Sequence, residues 1–354
     1  LIYLNTWLGA HDRKPLVLRG ARQVGKTWIV RELAKNTNKN LIELNFEKDP
    51  LLTSLFEPND PKQILLNLST VYQQDILPEN SLLFLDEIQA APKLLSKLRW
   101  FAEDLPQLPV IAAGSLLEFV LADHSFSMPV GRINYMHLEP LSFEEFLLAL
   151  QKNNLVSYLE QFNLDTPIPI ALHTQLTQCF KEYILIGGLP AVVNNWVAER
   201  SLIRANQVQH DLLATYRDDF SKFKGRIATE RLDEVMMAIP KMLGKKFIYS
   251  HINSSMQSST AKHILALLNK ARIVHRVSGC AANGVPLASE IKEKQLKTIF
   301  LDTGLVSVAL GLSVTELSKV NEISLINQGG IAEQVVGQLL RTINPPFIEP
   351  ALYY

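Results

Sequence analysis

The segment Gly20-Ala21-Arg22-Gln23-Val24-Gly25-Lys26-Thr27 constrains this chain more than any other, because it meets G-x-x-x-x-G-K-[ST] at every required position. Two glycines let a backbone curl until successive N–H groups face inward toward phosphate oxygens. A helix starting at the end of such a loop adds its positive N-terminus. At this spacing the Lys26 ammonium can reach β- and γ-phosphates and the Thr27 hydroxyl can ligate Mg²⁺. All eight residues line the expected site, with Arg22 and Gln23 at its variable positions. The bland alternative is a glycine turn. The flanks argue against it: Pro15 to Arg19 reads as a buried strand, and Lys26 to Lys35 carries Trp28, Ile29, Leu33 and Ala34 at helical spacing.

A second half of the site is expected where Leu82-Leu83-Phe84-Leu85 ends in Asp86-Glu87. An acid at the carboxyl end of a parallel strand lies near phosphates bound at that edge. Asp86 is the expected Mg²⁺ ligand, through water, since Mg²⁺ keeps much of its hydration shell. Glu87 is placed to polarise the attacking water as general base. Two further positions each leave two readings open. Ser115, after Gly114, is either a γ-phosphate or water-orienting group or a cap on a short helix over 116–121. Arg132, after Gly131, either neutralises transition-state charge, often across a subunit boundary, or is a surface ion-pair residue. Arg99 reads as structural or interfacial.

Around these motifs the first 150 residues alternate apolar runs with helical patterns. Strands are expected at 15–19, 40–46, 81–85, 109–113 and 133–138. Helices are expected at 26–35, 62–72, 92–104 and 116–121, and one through Leu150 opened by the capping box Ser142-Phe143-Glu144-Glu145. The fold expected is α/β, a doubly wound, mainly parallel sheet. Beyond Asn153 the strand signal fades. The stretch 171–223 reads as helical, interrupted at Gly187-Gly188-Leu189-Pro190. Helices at 230–242, 250–255 and 260–270, then a strand at 273–277, suit a small winged-helix unit, with a serine-rich loop at 254–259.

These motifs in combination resemble a prokaryotic family of AAA-like ATPases with a C-terminal domain of unknown function. The resemblance rests on Lys14-Pro15-Leu16 before the loop, Leu85-Asp86-Glu87-Ile88-Gln89, Ala113-Gly114-Ser115, and Gly131-Arg132 followed by Leu141 to Phe146. It continues through Gly187 to Pro190, Phe300 to Leu305 and Gly330-Ile331-Ala332-Glu333. It implies an AAA-like P-loop ATPase domain over 1–153, a helical lid or linker over 154–225, a winged-helix-like domain over 226–285 and a truncated nuclease-like α/β segment over 286–354. It also implies ATP as the nucleotide. In that family a helical Glu, a downstream Asp and Glu-x-Lys resemble a metal-dependent nuclease site. Glu333 matches the first of these, and the others would lie beyond Tyr354. A solvated or capping carboxylate is therefore the reading preferred for Glu333. Leu1 at the start and the apolar end suggest a fragment of something longer.

Composition narrows the remaining classes. In 354 residues, 35 Lys+Arg balance 35 Asp+Glu, which excludes a global basic field for nucleic acid but not a local one. Lys241, Lys245, Lys246, Lys262, Lys270, Arg272 and Arg276 supply a local concentration that either meets DNA or is a solvated face. No apolar run reaches the roughly 20 residues of a membrane span, so no membrane partner is expected. The 8 histidines and 2 cysteines show no metal-ligand spacing. Without a secretory leader, Cys179 and Cys280 read as reduced, buried thiols of a cytoplasmic protein. His137 reads as a core residue. A homo-oligomer is expected if Arg132 acts in trans. Two functions compete: an ATPase that converts nucleotide state into movement of its C-terminal module, and a DNA-binding or partner-recruiting module whose ATP site is a sensor.

Overall fold

The computed structural model describes residues 1–115, 117, 129, 131–222, 228–253, 255–311 and 328–354. They form two compact units, Leu1–Leu138 with Pro345–Glu349, and Glu139–Asn344 with Pro350–Tyr354.

The first unit alternates α1 (Ile2–Gly9), β1 (Leu16–Arg19), α2 (Lys26–Asn36), β2 (Asn40–Asn45), α3 (Pro61–Tyr72), β3 (Ser81–Asp86), α4 (Leu94–Asp104), β4 (Val110–Ala113) and β5 (Asn134–His137). The five strands form one parallel sheet in the order β2-β3-β4-β1-β5. Side chains of a strand alternate between faces, so a strand covered on both sides must be apolar throughout. β3 obeys this. Leu83 and Leu85 join a core with Ile64 and Leu68 of α3 and Leu95 and Leu98 of α4. Leu82 and Phe84 join the opposite core with Trp7 of α1 and Val30 and Leu33 of α2. The α/β, doubly wound expectation is met.

Within α2 the apolar residues at helical spacing do not all face the core. Trp28 is 63% exposed, and Val30 fills the buried face instead. The fully buried Val30 and Leu33, with Ala34, fix which side of the helix faces the sheet. α4 starts two residues later than expected, after a 3₁₀ turn at Ile88–Ala90. The expected helix over 116–121 lies outside the described residues apart from Leu117.

The second unit opens on α5 (Phe143–Ala149), whose capping box is formed in both directions: Ser142 Oγ accepts from Glu145 N and Glu145 Oε2 from Ser142 N. Helices α6 (Asn153–Glu160), α7 (Ile170–Ile186), α8 (Pro190–Glu199), α9 (Leu202–Lys222), α10 (Thr229–Ala238) and α11 (Ser258–Lys270) follow. α10 stops earlier than expected because Pro240 has no N–H to continue it, and a 3₁₀ turn at Pro240–Met242 takes over. Ser258 and Ser259, expected in a loop, form the first turn of α11.

A three-stranded sheet follows, ordered β7 (Ile291–Phe300), β6 (Val274–Cys280), β8 (Leu352–Tyr353). β6 runs antiparallel to β7 and parallel to β8. The expected boundary between 285 and 286 falls in the connection between two paired strands. Between β7 and β8 the chain forms α12 (Thr303–Ala309) and α13 (Gln328–Leu340).

Asp302 organises this unit. Fully buried, its carboxylate accepts from Gly188 N, Gly304 N, Leu305 N and Gln338 Nε2 at 2.7, 2.9, 3.4 and 3.1 Å. Burial pushes its pKa up to about 6 against the lowering pull of those donors. A Cβ on Gly188 would stand 2.2 Å from Leu141 O, and one on Gly304 2.4 Å from Ile186 O. Both glycines are therefore required by close backbone approach.

Candidate functional site

Sheet order assembles the site. β3, β4 and β1 are neighbours, so the residues after their carboxyl ends, Asp86-Glu87, Gly114-Ser115 and the loop from Gly20, lie along one edge. That edge is where open α/β sheets bind ligands.

The loop has the backbone its sequence requires. Gly25 sits at φ 96°, a left-handed conformation open to glycine, and is the N-cap of α2. Gly20 is fixed by lack of space, since a Cβ there would stand 2.5 Å from Leu138 O. Lys26 is buried, and its Nζ donates to Gly20 O at 3.0 Å and Ala21 O at 2.8 Å, so the loop is folded around its own ammonium. Burial lowers the Lys26 pKa to about 8, although Glu87 and Asp86 pull upward; Arg22 adds to the lowering. Gln23 is exposed, with φ 65°, whereas Ala21 and Val24 are buried against the protein.

Facing the loop, Thr27 Oγ1 lies 3.2 Å from Asp86 Oδ2, and Asn45 Nδ2, at the end of the neighbouring strand, 3.4 Å from the same oxygen. Burial raises the Asp86 pKa, and the Glu87 charge raises it further. A divalent cation would reverse that penalty, because it stabilises the carboxylate. Among the described residues no group of three or more His, Cys, Asp or Glu is arranged to hold a metal ion. Mg²⁺ needs none here: it is ordinarily held by one or two protein oxygens, phosphates and water. The paired hydroxyl and buried carboxylate fit it.

Glu87 occupies left-handed backbone at φ 51°, ψ 44°, rare for a residue with a Cβ and worth about 1–3 kcal/mol of strain. That turn sends its side chain along the sheet edge to Ser115, whose N and Oγ approach Glu87 Oε2 at 3.3 and 3.1 Å. Gln89 Nε2 donates to the same oxygen at 2.5 Å. Gln89 had no role in the sequence reading. Its place in the acidic motif was visible, but not the turn that bends it back. Its Oε1 is buried without a partner, against Gly114, where a Cβ would come within 2.2 Å.

Arg132 is not brought to this site. Asn134 pairs in register with Leu16, the first residue of β1, so Arg132 lies at the amino edge of the sheet. The loop lies at the other edge, one strand length or about 13 Å away. Arg132 is half exposed, and its Nε donates to Glu103 Oε1 at 2.6 Å, with Arg99 on the same carboxylate. The surface ion-pair reading describes what it does within its own chain. Strand register, which sequence does not display, sets where Arg132 lies within its own chain.

Other expected positions resolve as follows. His137 is buried. Cys179 is buried but Cys280 only half-buried. Glu333 is 45% exposed and pairs with Lys297 at 2.7 Å, a surface carboxylate. Arg272 leaves the basic face: it is buried and ion-paired with Glu139. No described helix is long and apolar enough to cross a membrane.

Comparison with known proteins agrees with this geometry. Residues 12–147 match the family model described as AAA domain, and 177–316 match a domain of unknown function (DUF8612). No curated protein matches the chain. Among solved structures, the Walker-type ATPase of Pyrococcus abyssi superposes with a TM-score of 0.53 at 15% identity, over 87% of this chain and 93% of that one. The Aeropyrum pernix ORC2 protein, solved as ADPNP–ADP complexes, gives 0.39 at 12% identity over 90% and 92%. The Aeropyrum pernix ORC1 protein, solved in complex with DNA, gives 0.30 at 14% identity over 90% and 91%. Sheet order and loop give the first unit a P-loop α/β fold, residues 12–147 of the chain are similar to the AAA domain family, and residues 177–316 are similar to a domain of unknown function.

Proposed function

We propose that this chain binds ATP with Mg²⁺ at the edge formed by β1, β3 and β4, hydrolyses it, and converts the nucleotide state into movement of its C-terminal module. The observation that carries this is the convergence of Thr27 and Asp86 at 3.2 Å, beside a lysine buried in a phosphate-type loop.

Each residue has a task in this reading. Backbone N–H groups of Gly20 to Thr27 hold the phosphates, and Lys26 gives up its contacts to Gly20 O and Ala21 O to pair with β- and γ-phosphate oxygens. Thr27 and Asp86 are the residues that would hold Mg²⁺, which when bound supplies charge neutralisation at the phosphate oxygens. Water attacks the γ-phosphorus, Glu87 accepts its proton, and the bond from that phosphorus to the β–γ bridging oxygen breaks, leaving ADP and inorganic phosphate. Ser115 and Gln89 orient the Glu87 carboxylate and so set which lone pair meets the water.

The remaining parts of the proposal are the partners and the division of labour. Residues 226–285 form a winged-helix-like module with DNA as its partner, and the protein acts in the cytoplasm. A role for Arg132 at a nucleotide requires a second copy, since its own loop is at the opposite edge.

The test uses Glu87→Gln. ATP affinity should stay within threefold of the parent while turnover falls about 100-fold or more, as loss of a general base requires. Equal turnover would discard Glu87 as the base.

A further inference from the structure

The second unit carries an open cavity of about 900 Å³ that the nucleotide site does not use. Its floor is β6 and β7, and its walls are the segment 246–250 and the first turns of α11. Lys246, Lys262, Arg276 and Lys292 all line it, and among the described residues no lining residue is acidic. All four are exposed, and among the described residues none is in an ion pair. Elsewhere in this chain arginines are commonly paired: Arg31 with Glu43, Arg217 with Asp233, Arg272 with Glu139. In a chain of zero net charge, four unpaired cations around one cavity amount to a local field of one sign. α11 adds to it, because its N-cap Gln257 makes no side-chain cap, leaving first-turn N–H groups at Ser258 on the cavity wall.

We propose that this groove binds the phosphodiester backbone of a nucleic-acid duplex. The inference deepens the DNA partnership proposed above by assigning it to a groove, and it rests on that reading. The cations are spread over a loop, a helix and two strands and stay in water. Such a layout follows a chain of phosphates, whereas an enclosed small-anion site would converge buried donors on one point. A single strand would be gripped by base stacking on exposed aromatics. Among its described residues the groove offers none: Phe247 is buried, and Tyr249 is half-buried with Phe247 edge-on at 5.3 Å. Backbone contacts of this kind position a duplex and carry no sequence information, so binding is insensitive to base sequence.

The experiment is fluorescence anisotropy of the full chain with a labelled 20-base-pair duplex, a second duplex of unrelated sequence, and the matching single strand. Salt is varied, with and without ATP and Mg²⁺. Both duplexes should bind alike, with log affinity falling against log salt at a slope of up to about −3.6 for four phosphate contacts. The double variant K262E/R276E should bind at least tenfold more weakly, with the slope flattened by about 1.8. A control with the same charge change in the first unit, K35E/K62E, should bind like the parent.

Absence of duplex binding under every condition, tighter binding of the single strand, or equal losses in both double variants would each overturn the proposal. ATP binding, measured in parallel, separates this from the nucleotide reading. A parent that binds duplex but not ATP refutes only the latter; one that binds ATP but not duplex refutes the DNA partnership together with the groove, and duplex binding left unchanged by K262E/R276E refutes the groove alone.

Discussion

At Lys26 the loop holds an ammonium in a place that disfavours its charge, and this has a measurable consequence. Its folded pKa of about 8 lies below the ordinary 10.5, so near pH 8 about half the lysines are neutral. A triphosphate beside Nζ restores the charged form, and binding must take up a proton. Calorimetry at pH 8 in buffers of different ionisation enthalpy should show uptake of about half a proton per ATP. The uptake should fade toward pH 6.5, where Lys26 is already charged. The same sign applies to stability. The unfolded chain binds this proton more tightly, so the Lys26 penalty is complete below pH about 8 and disappears as pH rises through 10.5. No uptake at pH 8 would mean that the phosphates do not meet Lys26. A second residue-scale test concerns Gln89. In Gly114→Ala the new Cβ collides with the end of a flexible side chain, so the Gln89 carboxamide moves while the fold stays. Turnover should fall about tenfold, as expected when a catalytic group loses its orientation, with the melting temperature changed by no more than about 2 °C. Unchanged turnover would remove Gln89 from the site.

Among elements, the junction of α7, α12 and α13 at Asp302 is the one most exposed to single changes. Asp302→Ala leaves the amides of Gly188, Gly304 and Leu305 and the Gln338 side chain without their shared acceptor. Loss of about 2–4 kcal/mol is expected, together with faster hydrogen exchange at those three amides. Retained protection there would show that the carboxylate is dispensable. Because the folded Asp302 pKa is raised to about 6, charging it costs stability. That contribution is therefore lost as pH rises from about 4 through 6. The elements themselves were legible to different degrees. β1, β3 and β4 could be read because strands buried on both faces are continuous apolar runs, and the loop because its spacing is set by phosphate chemistry. Trp28 misled because helical spacing alone does not say which apolar residues face the sheet. Arg132 and Gln89 were opaque for a different reason: one depends on strand register, the other on a left-handed Glu87 that no composition rule announces. Arg272 belongs by sequence to a basic stretch, but Glu139, 133 residues earlier in the chain, lies against it. Long-range pairings of this sort leave no local trace.

At the scale of the whole molecule, the proposed coupling has nucleotide binding in the first unit drive a response in the second. ATP with Mg²⁺ should stabilise the first unit by mass action, about 2.7 kcal/mol at a hundredfold excess over Kd. If the units are coupled, hydrogen exchange in the second unit should change on the same titration. A response confined to Leu1–Leu138 would leave an ATPase without the proposed coupling. Everything rests on a triphosphate entering the loop at Gly20 to Thr27, and equilibrium binding of a fluorescent ATP analogue with Mg²⁺ measures that most directly. The account predicts saturable, Mg²⁺-dependent binding by the parent and at least 100-fold weaker binding by Lys26→Ala, with the variant folded by circular dichroism. Equal affinities for the two proteins, or no binding by the parent, would contradict it.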